Sequence, residues 1–60
     1  MTVPAKFEIY EDAKGEYRFR LKAGNGEVVA TGESYPSIAG ARTGVAAVQK
    51  AAAEAQIVEV

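Results

Sequence analysis

The sequence predicts an α+β domain with the element order βββαβ, in which one helix packs on one face of an antiparallel sheet. Three observations predict this order. Apolar and polar residues alternate through the first half of the chain, turns containing glycine separate the alternating segments, and a helical periodicity replaces the alternation after Gly32. Strands followed by a single helix are typical of α+β domains.

The first two strands are predicted by alternation with a period of two. Residues 16–23 alternate without interruption over eight positions, and residues 7–10 repeat the pattern over four. Residues 11–15 between them form a turn, because Asp12 suits its first position and Gly15 accepts a positive φ. The first half of the chain therefore begins with a β-hairpin.

Asn25-Gly26 predicts a second hairpin with a two-residue type I′ turn, which leads into a third strand over residues 27–31. Closing the strands on this turn pairs Ala23 with Val28 and Leu21 with Ala30. This register places eight apolar residues on one face of the sheet, because a one-residue slip would move every side chain to the other face. They are Phe7, Ile9, Tyr17, Phe19, Leu21, Ala23, Val28 and Ala30. Glu8 then lies on the opposite, charged face, across from Arg18 or Arg20.

A helix is predicted over residues 37–55, with Ser37 as its N-cap after Pro36. Apolar residues recur there at spacings of three and four, the periodicity of an amphipathic helix. This stripe consists of Ile38, Ala41, Val45, Val48 and Ala52. Gly40 and Gly44 lie one turn apart beside the stripe, and we expect them to let the helix approach another surface closely. Residues 57–60 predict a final short strand.

Composition excludes several classes of chemistry. The chain has no cysteine and no histidine, which excludes disulfides, Cys/His zinc sites and imidazole acid–base catalysis. Seven basic and eight acidic residues leave a net charge of −1, which selects neither nucleic acid nor an anionic membrane. We expect one domain over residues 1–60 with a flexible N-terminus at 1–5, no enzymatic activity, no cofactor, no membrane partner and a cytoplasmic location.

The chain is also predicted to associate with itself. A domain of 60 residues buries only about 60% of its surface, and this one has twelve alanines and no covalent or metal cross-link. A helix about 10 Å wide leaves part of a sheet of about 15–20 Å uncovered. Only Gln56 separates the helix from the last strand, and short connections favour exchange of an element between protomers. We predict a homodimer whose C-terminal strands are exchanged, with a junction formed by Tyr35, Gly40, Gly44, Ile57, Val58 and Val60. The sequence leaves docking of the strand in its own chain open as the alternative.

Several blocks of this sequence resemble the YegP-like family of small bacterial and archaeal proteins. The resemblance extends over residues 6–60 and is carried by residues 7–10, 15–23, 25–27, 30–31, Tyr35, Ser37, Ala41, Gly44, Val45, Val48 and Lys50. The chain departs from the family's usual pattern at Ser34, where the family has glycine, and in residues 49–51. The resemblance implies two βββαβ units that share one sheet through exchanged C-terminal strands. It implies no biochemical activity.

The charged face carries the remaining candidate site, which consists of Tyr10, Arg18, Arg20 and Lys22. A row of cations beside an aromatic ring is able to follow a phosphate backbone and stack a base. The alternative is a solvated face with cross-strand charge pairs to Glu8 and Glu27. The sequence therefore favours a homodimeric binding or accessory module, with nucleic-acid binding as the alternative, against which the net negative charge counts.

Overall fold

A computed structural model describes residues 4–60 of the chain. It contains the strands β1 (Lys6–Glu11), β2 (Tyr17–Lys22) and β3 (Val28–Thr31), followed by the helix α1 (Ile38–Glu54). The strands form one antiparallel sheet in the order β1-β2-β3. The predicted α+β fold with three strands and one helix is confirmed. Part of the predicted flexible N-terminus, residues 1–3, lies outside the described residues.

The register of the first hairpin confirms the assignment of side chains to two faces. Phe7 pairs with Leu21 and Ile9 pairs with Phe19, so the apolar residues of both strands share one face. Glu8 pairs with Arg20, which decides between the two cations that the sequence left open. The alternation of residues in β1 and β2 therefore predicts the faces of these two strands correctly.

Both hairpins close with the same three-residue loop. The N–H of Gly15 donates to the carbonyl of Asp12 at 3.0 Å, and the N–H of Gly26 donates to the carbonyl of Ala23 at 2.9 Å. The two glycines have φ values of +80° and +88°. A type I turn that ends in a left-handed glycine is a common hairpin loop, since the glycine forms a bulge that restores the strand twist.

The predicted type I′ turn at Asn25-Gly26 is therefore wrong. Type I′ requires a positive φ at Asn25, and within residues 4–60 only glycines have one. Asn25 instead accepts a hydrogen bond at its Oδ1 atom from the N–H of Glu27, at 3.0 Å, which stabilises the turn conformation observed. The loop contains Gly24 as well, and this extra residue changes the pairing of the strand that follows.

The pairing of the second hairpin is only partly as predicted. Leu21 pairs with Ala30, as expected, but the N–H of Ala23 donates to the carbonyl of Glu27 at 2.8 Å. Val28 lies opposite Lys22 after a register shift between Leu21 and Lys22. The predicted pair of Ala23 with Val28 is wrong because the longer loop moves Glu27 into the position that Val28 was expected to occupy.

The helix begins and ends as predicted. The Ser37 hydroxyl accepts a hydrogen bond from the N–H of Gly40 at 3.1 Å, and Ala55 adopts an extended conformation as the C-cap. The helix lies over β1 and β2 and does not contact β3. Two apolar residues are buried within the described chain, Phe19 and Ala41. Val45 and Val48 are half-buried, whereas Ile38 and Ala52 at the two ends of the predicted stripe are exposed.

The segment between β3 and α1 is fixed to the sheet by Tyr35. The backbone of this residue exchanges two hydrogen bonds with Tyr17, at 2.8 and 2.7 Å. Its ring stacks on Phe19 with centroids 6.2 Å apart, and Phe7 meets Phe19 edge to face at 6.0 Å. The core therefore contains a row of three aromatic rings, of which Tyr35 lies against Gly40 and Gly44 of the helix.

The predicted final strand does not form within the chain. Residues 55–60 follow the helix without secondary structure and pair with no strand of residues 4–54. Ile57 is 99% exposed and Val58 is 72% exposed. We call residues 55–60 the C-terminal tail. In place of βββαβ, a single chain forms βββα and leaves an apolar tail in solvent.

Candidate functional site

The first candidate surface is the charged face of the sheet, opposite the helix. Its composition follows from the register, which places alternate residues of β1 and β2 side by side. The charged face consists of Lys6, Glu8, Tyr10, Arg18, Arg20 and Lys22, together with Asp12 from the adjoining turn. All four residues predicted as a binding face are therefore brought together on adjacent strands.

Glu8 is the centre of this surface, because three cations contact its carboxylate. Arg20 Nε lies 2.8 Å from Glu8 Oε1, Lys22 Nζ lies 3.5 Å from the same oxygen, and Lys6 Nζ lies 3.3 Å from Oε2. These contacts lower the pKa of Glu8 from its ordinary 4.5 to about 2, and the hydrogen bond from Arg20 is the largest cause. The carboxylate therefore stays ionised throughout the neutral and mildly acidic range.

Arg18 forms a separate pair with Asp12. Its Nε atom lies 2.8 Å from Asp12 Oδ2, and the other carboxylate oxygen accepts the N–H groups of Lys14 and Glu16, at 2.9 and 3.0 Å. The hydrogen bond from Arg18, and then those from the backbone, lower the pKa of Asp12. The same pair raises the pKa of Arg18. Arg18 is thus held against the hairpin turn.

Tyr10 is also engaged within the chain. The guanidinium carbon of Arg20 lies 4.6 Å from the centroid of the Tyr10 ring, which is a cation–π contact. One ring face therefore meets a cation of the same sheet. Of the two carboxylates predicted to pair across the strands, Glu8 does so, whereas Glu27 forms no ion pair within residues 4–60.

The charge that remains on this face is small. Four cations, Lys6, Arg18, Arg20 and Lys22, meet the two carboxylates of Glu8 and Asp12, which leaves a charge of +2. Each cation already has an anionic partner within 4 Å. A phosphate that binds here has to compete with these carboxylates. The arrangement resembles a network of cross-strand ion pairs more closely than an open anion site.

Other kinds of site are not found in the part of the chain that the structure describes. Residues 4–60 enclose no pocket, and they bring no three acidic side chains together in a way that would hold a metal ion. One turn carries three acidic residues, Glu11, Asp12 and Glu16, but the Asp12 carboxylate already forms an ion pair with Arg18. The helix described here is too short and too polar to cross a bilayer.

The second candidate surface is the predicted dimer junction, whose six residues fall into two groups. Tyr35, Gly40 and Gly44 meet inside the chain, where the close approach expected of the two glycines is made to the Tyr35 ring. The hydroxyl of this half-buried tyrosine lies beside Gly44 and has no hydrogen-bond partner among the described residues. Ile57, Val58 and Val60 form the exposed apolar part of the C-terminal tail.

In the sequence, Gly32 marks only the boundary between the third strand and the helix. A β-carbon at this position would overlap the Phe19 ring, so the glycine is required for the core to close. Its N–H also donates to the Phe19 carbonyl at 3.0 Å. The sequence signal for this role is the position of the glycine, directly after the strand that ends in Thr31.

The total accessible surface is large for a chain of this size. The accessible surface is 4871 Å², whereas a compact protein of 6.3 kDa exposes about 3,700 Å². The difference is of the order of the roughly 800 Å² that each partner buries in a stable interface. Besides the tail, the exposed large apolar residues are Val28, Val29 and Ile38.

The meander, the helix across one of its faces and the free apolar tail define a small α+β unit of the βββα type. Its sequence matches the model of the family described as "Domain of unknown function (DUF1508)" over residues 12–59, and the chain belongs to this family. The membership confirms the resemblance to YegP-like proteins.

Similar proteins occur in bacteria and archaea. A UPF0339 protein of Treponema denticola is 58% identical over 55 residues, which cover 92% of this chain and 95% of the relative. A UPF0339 protein of Methanosarcina acetivorans is 43% identical over 54 residues, with 90% and 93% covered. A solution structure of a protein from Haloferax volcanii superposes with a TM-score of 0.84 at 37% identity, and covers 97% of this chain and 98% of its own.

Proposed function

We propose that this chain is a non-enzymatic binding or accessory module that acts as a homodimer, in which each copy passes its C-terminal tail to the sheet of the other. The proposed compartment is the cytoplasm. The observation that carries the proposal is the tail itself, since three of its last four residues are large, apolar and exposed. An exposed apolar segment of this kind is costly unless a partner covers it.

The tail has the composition of a strand. Ile57, Val58 and Val60 belong to the residue types most favoured in sheets, and Ala55 already has extended dihedral angles of −71° and 137°. Both outer strands of the sheet, β1 and β3, have one side without a strand partner among residues 4–60. A tail from a second copy would satisfy an edge and cover apolar surface at once.

The weak core of the single chain supports the same proposal. Only Phe19 and Ala41 are buried among the described residues, and all four residues of β3 are exposed. A sheet of three strands with one helix and two buried side chains has little hydrophobic stabilisation for its length. Association adds buried surface without requiring a longer chain.

Nucleic-acid binding by the charged face is the weaker alternative. It requires Arg18, Arg20 and Lys22 to face a phosphate backbone, and all three are paired with Glu8 or Asp12. A non-enzymatic role is favoured because the described residues of the charged face line no pocket, and because the pKa values of its two carboxylates, Glu8 and Asp12, are lowered away from neutrality.

The proposal is tested by the mass of the chain in solution. Sedimentation equilibrium at micromolar concentration should give twice the mass of 6.3 kDa. Val58→Asp should shift the chain toward the monomer, because it places a charge in the apolar tail. Ala13→Asp, which places the same charge in an exposed turn, is the matched control and should leave the dimer intact. A wild-type chain that remains monomeric at this concentration would refute the proposal.

A further inference from the structure

We infer that the outer side of β3 binds an extended, basic segment of another protein, which adds to the sheet as a further strand. We call residues 27–33, which contain β3 and the glutamates on both sides of it, the β3 edge. The inference does not depend on the homodimer proposed above, because it concerns a partner of different sequence. It is carried by the free backbone groups, the exposed valines and the charges of this edge.

The backbone of the β3 edge has polar groups that face away from β2. The carbonyl of Glu27 and the N–H of Gly32 form hydrogen bonds on the side of β2. Successive residues of an antiparallel strand direct their backbone groups to opposite sides, so those of the neighbours Val28 and Thr31 face outward. No strand of residues 4–60 pairs with them there. A further strand would satisfy these two N–H and two carbonyl groups.

A bulge limits the kind of strand that this edge accepts. Val28 lies opposite Lys22 and Thr31 lies opposite Arg20, so β3 has one residue more than β2 between these two pairs. The two outward-facing residues are therefore separated like residues two positions apart in a regular strand. Because a bulge twists an edge and prevents long, flat pairing, the edge favours a short segment.

The apolar side chains of β3 are open to a partner. Val28 is 47% exposed and Val29 is 56% exposed. The helix does not contact β3, and the strand, with the sequence VVAT, has none of the lysines or prolines that commonly protect an edge. A segment with β-branched side chains would cover these valines through cross-strand contacts.

The charges beside the strand select a basic partner. Glu27 directly precedes β3 and Glu33 follows it by two residues, and both are exposed. Neither forms an ion pair within residues 4–60. Lys22, which lies opposite Val28, is already paired with Glu8. The two free carboxylates are therefore available to lysine or arginine on an adjacent strand, where opposite charges attract.

The same charges count against a second copy of this chain at the β3 edge. Two antiparallel β3 strands would bring Glu27 of each copy toward Glu33 of the other, and like charges on adjacent strands repel. The C-terminal tail also offers no cation, since Glu59 is its one charged residue. The occupant is therefore a segment with basic residues near both ends and β-branched residues between them.

A synthetic peptide tests this inference. The acetylated and amidated peptide Lys-Val-Thr-Val-Thr-Lys places its cations five positions apart, about 17 Å in a strand, which matches Glu27 and Glu33 when one residue between them is bulged. In an NMR titration of the isotope-labelled chain, we expect shift changes concentrated in residues 27–33. Two control peptides, one with N-methylated backbone amides and one with glutamate in place of both lysines, should each bind at least about fivefold more weakly.

Charge reversal on the chain provides the complementary measurement. Glu27→Lys and Glu33→Lys should each weaken binding of the lysine peptide by about two- to fivefold, because each removes one exposed charge pair. Both should strengthen binding of the glutamate peptide. Glu54→Lys makes the same change of charge at the exposed end of the helix, and this matched control should leave both affinities unchanged. Circular dichroism checks that each variant is folded.

The outcomes separate this inference from the homodimer. No binding at millimolar peptide, or shift changes centred on β1 or the helix, would overturn the inference. Sedimentation of the mixture provides a further test, because a peptide that binds at β3 and dissociates the dimer would show that this edge belongs to the contact between copies. A monomeric chain that binds the peptide at β3 would refute the homodimer and leave the inference standing.

Discussion

The hydroxyl of Tyr35 lies directly against the Cα atom of Gly44, so closely that a β-carbon at position 44 would overlap the ring and its oxygen. This contact joins the segment that follows β3 to the second turn of the helix. Because Tyr35 also stacks on Phe19 and pairs with Tyr17, it fixes the distance between helix and sheet. A helix glycine, which ordinarily weakens a helix, is here required by packing.

We therefore expect Gly44→Ala to destabilise the fold by about 1–3 kcal/mol, since overpacking outweighs the gain in helix propensity of about 1 kcal/mol. Gly40→Ala is the matched control. Its β-carbon would meet Ser37 and Tyr35 at 3.4–3.6 Å, an ordinary contact, so this change should be neutral or slightly stabilising. Urea denaturation measures both. Equal stability of the two variants would show that Tyr35 does not occupy the space above Gly44.

The same contact predicts a rescue. Tyr35→Phe removes the oxygen that approaches position 44 and leaves the stacked ring in place. In the Gly44→Ala background it should therefore restore part of the lost stability. The interaction energy from the double-mutant cycle should be of the order of 1 kcal/mol. Additive effects would mean that the hydroxyl is not the group that is displaced.

Phe19→Ala should destabilise the fold by about 3–5 kcal/mol, the usual cost of deleting a buried aromatic ring. Phe19 is 3% exposed and contacts both Phe7 and Tyr35. Val29→Ala, on an exposed position of the neighbouring strand, is the control and should cost much less. Thermal or urea unfolding at one protein concentration provides the comparison. A loss below about 1 kcal/mol for Phe19→Ala would contradict the position of the core.

Glu8 predicts a specific dependence of stability on pH. Its pKa in the folded chain is about 2, below the ordinary value of 4.5, so its ion pairs stabilise the fold fully above pH 4.5. That contribution is lost as the pH falls from 4.5 toward 2, where the folded carboxyl takes up its proton. The lowered pKa of Asp12 acts in the same direction. Glu8→Gln should flatten this part of the stability profile, whereas Glu59→Gln should leave it unchanged.

The charged face also predicts how the chain responds to nucleic acid. Because Glu8 forms ion pairs with three of the four cations, the wild-type chain should bind short single-stranded nucleic acids weakly even at low salt. Glu8→Gln removes the competing carboxylate and should bind them more tightly, with a steeper salt dependence. Fluorescence anisotropy with a labelled oligonucleotide measures both. Tight, salt-sensitive binding by the wild type would favour the alternative function.

Local patterns in the chain were sufficient to predict its first three strands and its helix. The alternation over residues 16–23 assigned Phe19 to the apolar face and Arg20 to the charged face, and Ser37 marked the start of the helix, because both signals depend only on near neighbours. The two-residue turn predicted within residues 24–26 is wrong, because Gly-Asn-Gly suits a two-residue or a three-residue loop equally well. The pairing of the neighbouring strands selects the longer loop.

Contacts between distant residues were beyond these patterns. Gly32 faces a ring thirteen positions earlier in the chain, and Gly44 faces one nine positions earlier. The requirement for glycine at these two positions therefore arises only when sheet and helix are packed together. In the same way, a carboxylate beside alternating cations predicts charge pairs. The register of the strands determines that Glu8 forms ion pairs with three cations at once. Strand propensity in residues 57–60 is a local property. Whether these residues pair depends on a free sheet edge beside them. Within their own chain they pair with no described strand, because the helix packs over β1 and β2 and leaves the tail in solvent.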